Sequence, residues 1–286
     1  MKREAITPCG EHTAAVSGSG RSVGRRGAVA PGSAWALVTG AGSGIGRCYA
    51  LRLAALGYNL VLDGDAPKAT SAAGFRPDVR IVEIDLARIE AAAELWEAVR
   101  REGAAIDVLV NNAGIFSFRD ILQTPAERIE RIILLHDLTN TQLCRMAAAD
   151  MVRRGCRGHI LNMSSYSLWM PFPGLALYSA SKAYLRSFSV AFAKEVREHG
   201  IRVTAVCPAG VATDLYGLTP RWQRIGTRLG VLITADSCAR RGLRALWRGR
   251  RCIVPDWWNR VWIPLCKMLP MWVLRPVRRF TMKFQK

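Results

Sequence analysis

Residues 34–46 read AWALVTGAGSGIG, and this stretch restricts the fold more than any other. Ala36–Val38 is a short apolar run stopped by glycines, as expected of a buried strand. Behind the glycines, Ile45, Tyr49, Leu53 and Leu56 recur on one helical stripe. A strand that turns through glycines into a helix is the opening of a βαβ unit, and the alternation continues. The segments 58–65 (YNLVLDGD), 79–86 (VRIVEIDL), 106–114 (IDVLVNNAG), 158–165 (GHILNMSS) and 201–210 (IRVTAVCPAG) read as further strands. Helices are expected over 88–101, 126–153 and 178–199. Strand alternating with helix calls for an α/β fold with a doubly wound parallel sheet. The chain has 286 residues, 50% of them hydrophobic, enough for one such core. The expected organisation is a disordered, polar, basic arm over 1–33, one domain over 34–255 and a basic, Trp-rich segment over 256–286.

The glycines also carry chemistry. They let the backbone turn tightly and approach a pyrophosphate, and the helix N-terminus that follows offers N–H groups and a positive dipole. A second pattern lies in ALYSASKAY (176–184), which puts Tyr178 four residues before Lys182. On a helix these two share a face. A free phenol has a pKa near ~10 and is a poor base at neutral pH. A neighbouring ammonium favours the phenolate and brings that value toward working pH, so the phenol can exchange a proton with a substrate oxygen.

Taken together, these motifs resemble the short-chain dehydrogenase/reductase family. Gly40, Gly44 and Gly46 match its TGxxxGxG loop, and NNAG (111–114) matches its motif after the fourth strand. Ser165, Tyr178 and Lys182 match its catalytic serine and Tyr-x-x-x-Lys pair. CPAGVAT (207–213) resembles its Pro-Gly…Thr segment, although Ala209 stands where the family usually has glycine. The resemblance covers about Ala34 to Arg251. It implies a single-domain Rossmann-type oxidoreductase that interconverts a secondary alcohol and a ketone with NAD or NADP. Tyr178 would be the general acid and base, Ser165 would hydrogen-bond the substrate oxygen, and Lys182 would lower the Tyr178 pKa and hold the nicotinamide ribose. Gly40, Ser43, Gly44, Ile45 and Gly46 would form the phosphate loop. Asn112, Ala113 and Gly114 would line the cofactor site, and Asp85 with Leu86 would meet the adenine. Pro208, Val211 and Thr213 would meet the nicotinamide.

Two positions need separate reading. The second strand ends in Asp63-Gly64-Asp65, with no arginine beside them and Ser43 where NADP users often carry a base. An acid there binds the ribose diol and repels a 2′-phosphate, which favours NAD; the other reading makes both aspartates turn caps. Within HDLTNT (136–141), Asp137 occupies the place of the family's catalytic asparagine, and Asn140 falls one helical turn later. Ionised, Asp137 would favour the Lys182 ammonium; protonated, it would act much as asparagine does.

The remaining features concern partners. LWMPFPGL (168–175) and LYGLTPRW (215–222) are apolar and would flank the substrate, which suggests a hydrophobic ligand such as a hydroxysteroid; otherwise they pack on the tail and the substrate is small. An acyl thioester is the competing substrate, and a cofactor-binding regulator without turnover is the competing class. The charge is lopsided, with 41 Lys+Arg against 22 Asp+Glu. No nucleic-acid recognition motif accompanies it. WWNRVWIPLCKMLPMWVL (257–274) is broken by Arg260, Lys267 and two prolines, which argues against a spanning helix. It is expected either to touch an anionic membrane surface weakly or to fold over the domain. The eight scattered cysteines, without metal-ligand spacing, read as reduced thiols of a cytoplasmic protein, and no metal is expected. A homo-oligomer is implied, with helices 126–153 and 178–199 as its face.

Overall fold

A computed structural model of the chain describes residues 27–64, 76–169, 172–213, 219–228, 230 and 232–256. Its elements follow the expected alternation. In chain order they are β1 (Trp35–Val38), α1 (Gly44–Ala54), β2 (Asn59–Asp63), β3 (Val79–Val82), α2 (Ala91–Arg101) and β4 (Ile106–Asn111). Then come α3 (Ala126–Ile133), α4 (Asn140–Arg153), β5 (His159–Met163), α5 (Ala176–Glu195) and β6 (Arg202–Val206). The rest comprises β7 (Gly210–Ala212), α6 (Pro220–Arg228), β8 (Leu232–Thr234), α7 (Ala235–Trp247) and β9 (Cys252–Ile253). Seven strands form one sheet in the order β3-β2-β1-β4-β5-β6-β9, and every pairing in it is parallel. The strand order reverses between β1 and β4, which is where open α/β sheets bind their ligands.

Both sheet faces are covered, so β2, β4 and β5 are buried at every position. One face packs Leu95 and Val99 of α2 and Leu143 and Met151 of α4 against Leu37, Leu109 and Ile160. The other packs Tyr49 and Leu53 of α1 and Leu243 and Leu246 of α7 against Leu60, Val108 and Leu161. Trp247 closes the end of this layer, 6.3 Å from the Tyr58 ring and 4.6 Å from the His159 ring. The helix α7 and the edge strand β9 have no counterpart in the sequence reading, because neither carries a motif.

Three expectations change at this level. Residues 27–33 are already tied to the domain: Val29 N donates to Leu56 O (3.0 Å) and Gly32 N to Gly57 O (2.8 Å). The single helix expected over 126–153 is interrupted by a π-helical segment, Leu134–Thr139, between α3 and α4. Nothing in the apolar periodicity marks that segment, since inserting one residue leaves a similar stripe on both sides. Cys156 is disulfide-bonded, so the thiols are not all reduced. Asp65 and the segment 257–286 lie outside the described residues.

The glycine loop is packed too closely for side chains. A Cβ on Gly46 would stand 2.1 Å from Gly40 O and 2.5 Å from Asn112 Nδ2. Gly46 therefore sets how near α1 comes to the β1 and β4 turns. Gly46→Ala is expected to cost about 1–3 kcal/mol by overpacking, even though alanine favours helices. Thermal unfolding should show it, and a Tm equal to wild type would mean that the loop yields freely.

Candidate active site

The loop after β1 and the loop after β4 are latched together. Asn112 N and Ala113 N both donate to Thr39 Oγ1 at 3.0 Å. Asn112 Nδ2 donates to Thr39 O and Gly40 O, each at 3.1 Å. The latch holds NNAG against TGAG at the switch point, and a cavity of about 410 Å³ opens there. Gly40, Ser43, Gly44 and Ile45 form its floor. Gly40 and Gly44 have φ of +61° and +52°, the left-handed region that a side chain would strain. The first turn of α1, whose N–H groups have no partner within the helix, ends on this floor. Asn112, Ala113 and Gly114 make one wall, and Pro208, Val211 and Thr213 the other. Ser165, Tyr178 and Lys182 stand on the same cavity, so the expected proton-transfer set and the expected cofactor residues meet in one place.

Lys182 is 4% exposed and donates from Nζ to Met163 O at 3.0 Å. Burial lowers its pKa to about 8, and the nearby Asp137 carboxylate works in the opposite direction. The ammonium lies 5.8 Å from the centre of the Tyr178 ring. Phe116 meets that ring edge-on at 5.1 Å. Ser165 Oγ accepts from Ser167 N at 3.2 Å, which fixes the hydroxyl at the end of β5. The strand beneath is anchored by a buried polar chain. Asn111 Nδ2 donates to Asn162 Oδ1 (2.9 Å), Asn162 Nδ2 to Ser189 Oγ (2.8 Å), and Ser189 Oγ to Leu185 O (2.6 Å). These bonds join β4, β5 and α5, the elements that carry Asn112, Ser165 and Lys182.

His136 belongs to the cavity, and the sequence reading passed over it. It is fully buried in the π-helical segment. Ile115 N donates to its Nε2 at 3.0 Å, so the ring proton sits on Nδ1, 2.9 Å from Ser181 Oγ. Ser181 Oγ in turn donates to Tyr178 O at 3.0 Å. Burial, and then the Lys182 charge, hold the imidazole well below its usual pKa, so it stays neutral. It braces the Tyr178 turn of α5 against the NNAG loop. Its sole signal in the sequence was a histidine beside Asp137, in a helix that periodicity alone does not bend.

Asp137 is not among the cavity-lining residues, yet its charge acts on Lys182. Its Oδ1 is buried without a hydrogen-bond partner, and burial raises the carboxyl to about 6. Near pH 7 it is mainly ionised, which favours the Lys182 ammonium. Asp137→Asn should therefore lower the Lys182 pKa and move the alkaline limb of the oxidation rate profile to lower pH. Identical profiles for the two proteins would show that the coupling has no kinetic weight.

Four other expected residues stand outside the cavity lining. Gly46 packs under the loop, as described. Asp63 is 6% exposed and accepts from Gly40 N through Oδ2 at 3.2 Å. Burial raises it to about 6, and it holds the glycine loop from beneath. Asp85 accepts from Ala87 N and pairs with Arg131 at 2.9 Å, which keeps its pKa low. Leu86 is buried, and its carbonyl accepts from Thr139 Oγ1 at 2.9 Å, tying the loop after β3 to the π-helical segment.

A parallel sheet with a glycine loop at its switch point, and a Tyr/Lys/Ser set on the same cavity, defines a Rossmann-type oxidoreductase. Residues 34–224 match the short chain dehydrogenase family, and the chain belongs to that family. It is 34% identical over 186 residues to the very-long-chain 3-oxoacyl-CoA reductase of Pyrenophora tritici-repentis, covering 62% of this chain and 54% of that protein. The chain thus spans about half the length of that relative. Among solved structures, a short-chain dehydrogenase from Sphingobium yanoikuyae in complex with NADPH is 30% identical, with a TM-score of 0.67 over 87% of this chain and 95% of that one. The bulky-bulky ketone specific alcohol dehydrogenase from Comamonas testosteroni is 26% identical, with a TM-score of 0.65 over 80% of this chain and 90% of that one.

Proposed function

We propose that this protein interconverts a secondary alcohol and a ketone on a hydrophobic substrate such as a hydroxysteroid, with NAD(H) preferred over NADP(H). The observation that carries the reading is the single cavity shared by Ser165, Tyr178, Lys182 and the glycine loop. The cavity suits a dinucleotide: a Cβ on Gly44 would meet Thr213 Cγ2 at 3.2 Å, and one on Gly114 would meet His136 Nε2 at 3.1 Å. Gly44, Gly114 and Thr213 would hold the cofactor, which supplies or accepts hydride when bound. The chain supplies position and a proton. Tyr178 Oη gives a proton to the ketone oxygen in reduction and takes one from the alcohol in oxidation. Ser165 Oγ hydrogen-bonds the same oxygen, and the Lys182 ammonium favours the phenolate. Ile115, Phe116, Met163 and Val211 supply apolar walls, which favour a non-polar substrate.

The cofactor preference rests on the acidic end of β2. Asp63 and Asp65 together would hold the ribose diol and repel a 2′-phosphate. An oligomer in which α4 and α5 meet a second copy is part of the proposal; Tyr184, 44% exposed, stacks on Phe188 along the outer side of α5.

A second reading, reduction of 3-oxoacyl thioesters, is favoured by the Pyrenophora relative. The test is a screen of steroid alcohols and ketones, 3-oxoacyl-CoA esters and sugar alcohols with NAD(H) and NADP(H), followed at the nicotinamide absorbance. Fastest turnover of steroid substrates with NAD(H) is the expected result. Preference for the thioesters would select the second reading. Cofactor binding without turnover of any substrate would make the protein a regulator.

A further inference from the structure

The end of the sheet away from the active-site cavity carries a larger hollow of about 890 Å³. β5, β6 and β9 start there, and α5 and α7 end there. Arg157, Arg197, Arg202, Arg248, Arg250 and Arg251 line it, and Glu198 is the one acidic side chain among the lining residues. All six arginines are exposed. Glu198 lies 3.7 Å from His199 Nε2, and among the described residues no carboxylate pairs with Arg197, Arg202, Arg248, Arg250 or Arg251.

The backbone that carries these arginines is fixed. Arg250 O accepts from Thr204 Oγ1 (2.6 Å) and Arg251 O from Ala205 N (2.9 Å), which ties the run after α7 to β6. Gly200 and Gly249 turn the chain with φ of +76° and +66°. Two arginine stems lie against these turns. A Cβ on Gly200 would stand 3.0 Å from Arg157 Cγ, and one on Gly249 would stand 3.7 Å from Arg202 Cδ. Arg202 Nη1 also donates to Trp247 O at 2.7 Å, at the end of α7. Helix C-termini attract cations, which accounts for part of the cluster. Each of the two ends supplies only about half a negative charge, so with Glu198 included about four positive charges stay unbalanced. Like charges gathered in a recess raise its potential and draw anions in.

Arginine selects phosphate among anions, because its planar guanidinium offers parallel N–H donors to two phosphate oxygens. The lining gives a nucleobase no face to stack on. Its sole ring is His159, which is 3% exposed and meets Trp247 edge-on at 4.6 Å. We propose that the hollow binds a short phosphate chain, of about three or four groups to balance the charge, and that the chain alone is recognised.

The test uses the full chain and inorganic tripolyphosphate. Phenylglyoxal labels accessible arginines, and peptide mass mapping locates them. Saturating tripolyphosphate is expected to slow labelling of Arg248, Arg250 and Arg251 by about fivefold or more. Arg100 and Arg101 of α2, outside the lining, should label at an unchanged rate. The glycine loop also attracts phosphate, so the position of the protected arginines assigns the site. Calorimetry at physiological salt then compares two double variants that remove the same charge. Arg250→Gln with Arg251→Gln should weaken binding about tenfold or more, and Arg100→Gln with Arg101→Gln less than about twofold, because salt screens distant charges. Equal labelling with and without tripolyphosphate, or equal losses in the two variants, would overturn the proposal. So would stronger protection by adenosine triphosphate, which would mean that a base is read. Stronger protection by phosphatidylserine vesicles or by a single-stranded oligonucleotide would overturn it too, making the hollow a membrane or a nucleic-acid face. The labelling needs no variant to fold, and no outcome depends on the substrate of the active site.

Discussion

Tyr178→Phe is expected to lower kcat by about 10²–10⁴-fold, the usual weight of a positioned acid or base. The substitution removes one oxygen and little else. Tyr178 is 6% exposed, with its ring packed against Phe116 and near His136, and phenylalanine keeps both contacts. Cofactor affinity should stay within a factor of about two, because the floor of the cavity is built from the glycine loop and the NNAG wall. Steady-state kinetics beside a fluorescence titration of the nicotinamide separates the two quantities. Turnover near wild type would remove Tyr178 from the chemistry.

Lys182→Met is expected to damage rate and cofactor affinity together, with kcat/KM down by about 10²-fold or more. Methionine is close in volume, so the 4% exposed site stays filled, but the donor to Met163 O and the charge beside Tyr178 are lost. A change in kcat alone would remove the ribose contact from the assignment. The variant also makes a stability prediction. Burial lowers the folded-state pKa of Lys182 to about 8, against 10.5 for the ordinary side chain. Below about 8 both states carry the proton, and folding bears the full cost of burying the charge. Between about 8 and 10.5 the native site is neutral while the unfolded chain still binds a proton, so wild-type stability rises with pH across that window. The methionine variant should lose this rise, and chemical denaturation at several pH values would show it.

Much of this was written in the sequence. Glycines stopping Ala36–Val38 meant a strand turning into a helix, because few other residues turn so tightly. The spacing of Tyr178 and Lys182 put both on one helical face, since an α-helix returns every 3.6 residues. The order of Gly40, Asn112, Ser165, Tyr178 and Lys182 along the chain was enough to name the family.

Tertiary structure decided what depends on direction and burial. The π-helical segment Leu134–Thr139 places His136 on the cavity lining and not Asp137, an outcome that no hydrophobic period records. Asp63 ended its strand as expected, yet its carboxylate went under the loop, because Gly40 N offered a partner there and the β2 end was sealed from solvent. The Cys207–Cys252 contact joins residues 45 apart in sequence, and only the pairing of β6 with β9 brings their sulfurs together. Sequence determined which local structures could form and which chemistry was available. Packing determined which face each side chain showed, because burial and hydrogen-bond partners are properties of the assembled core rather than of any one segment.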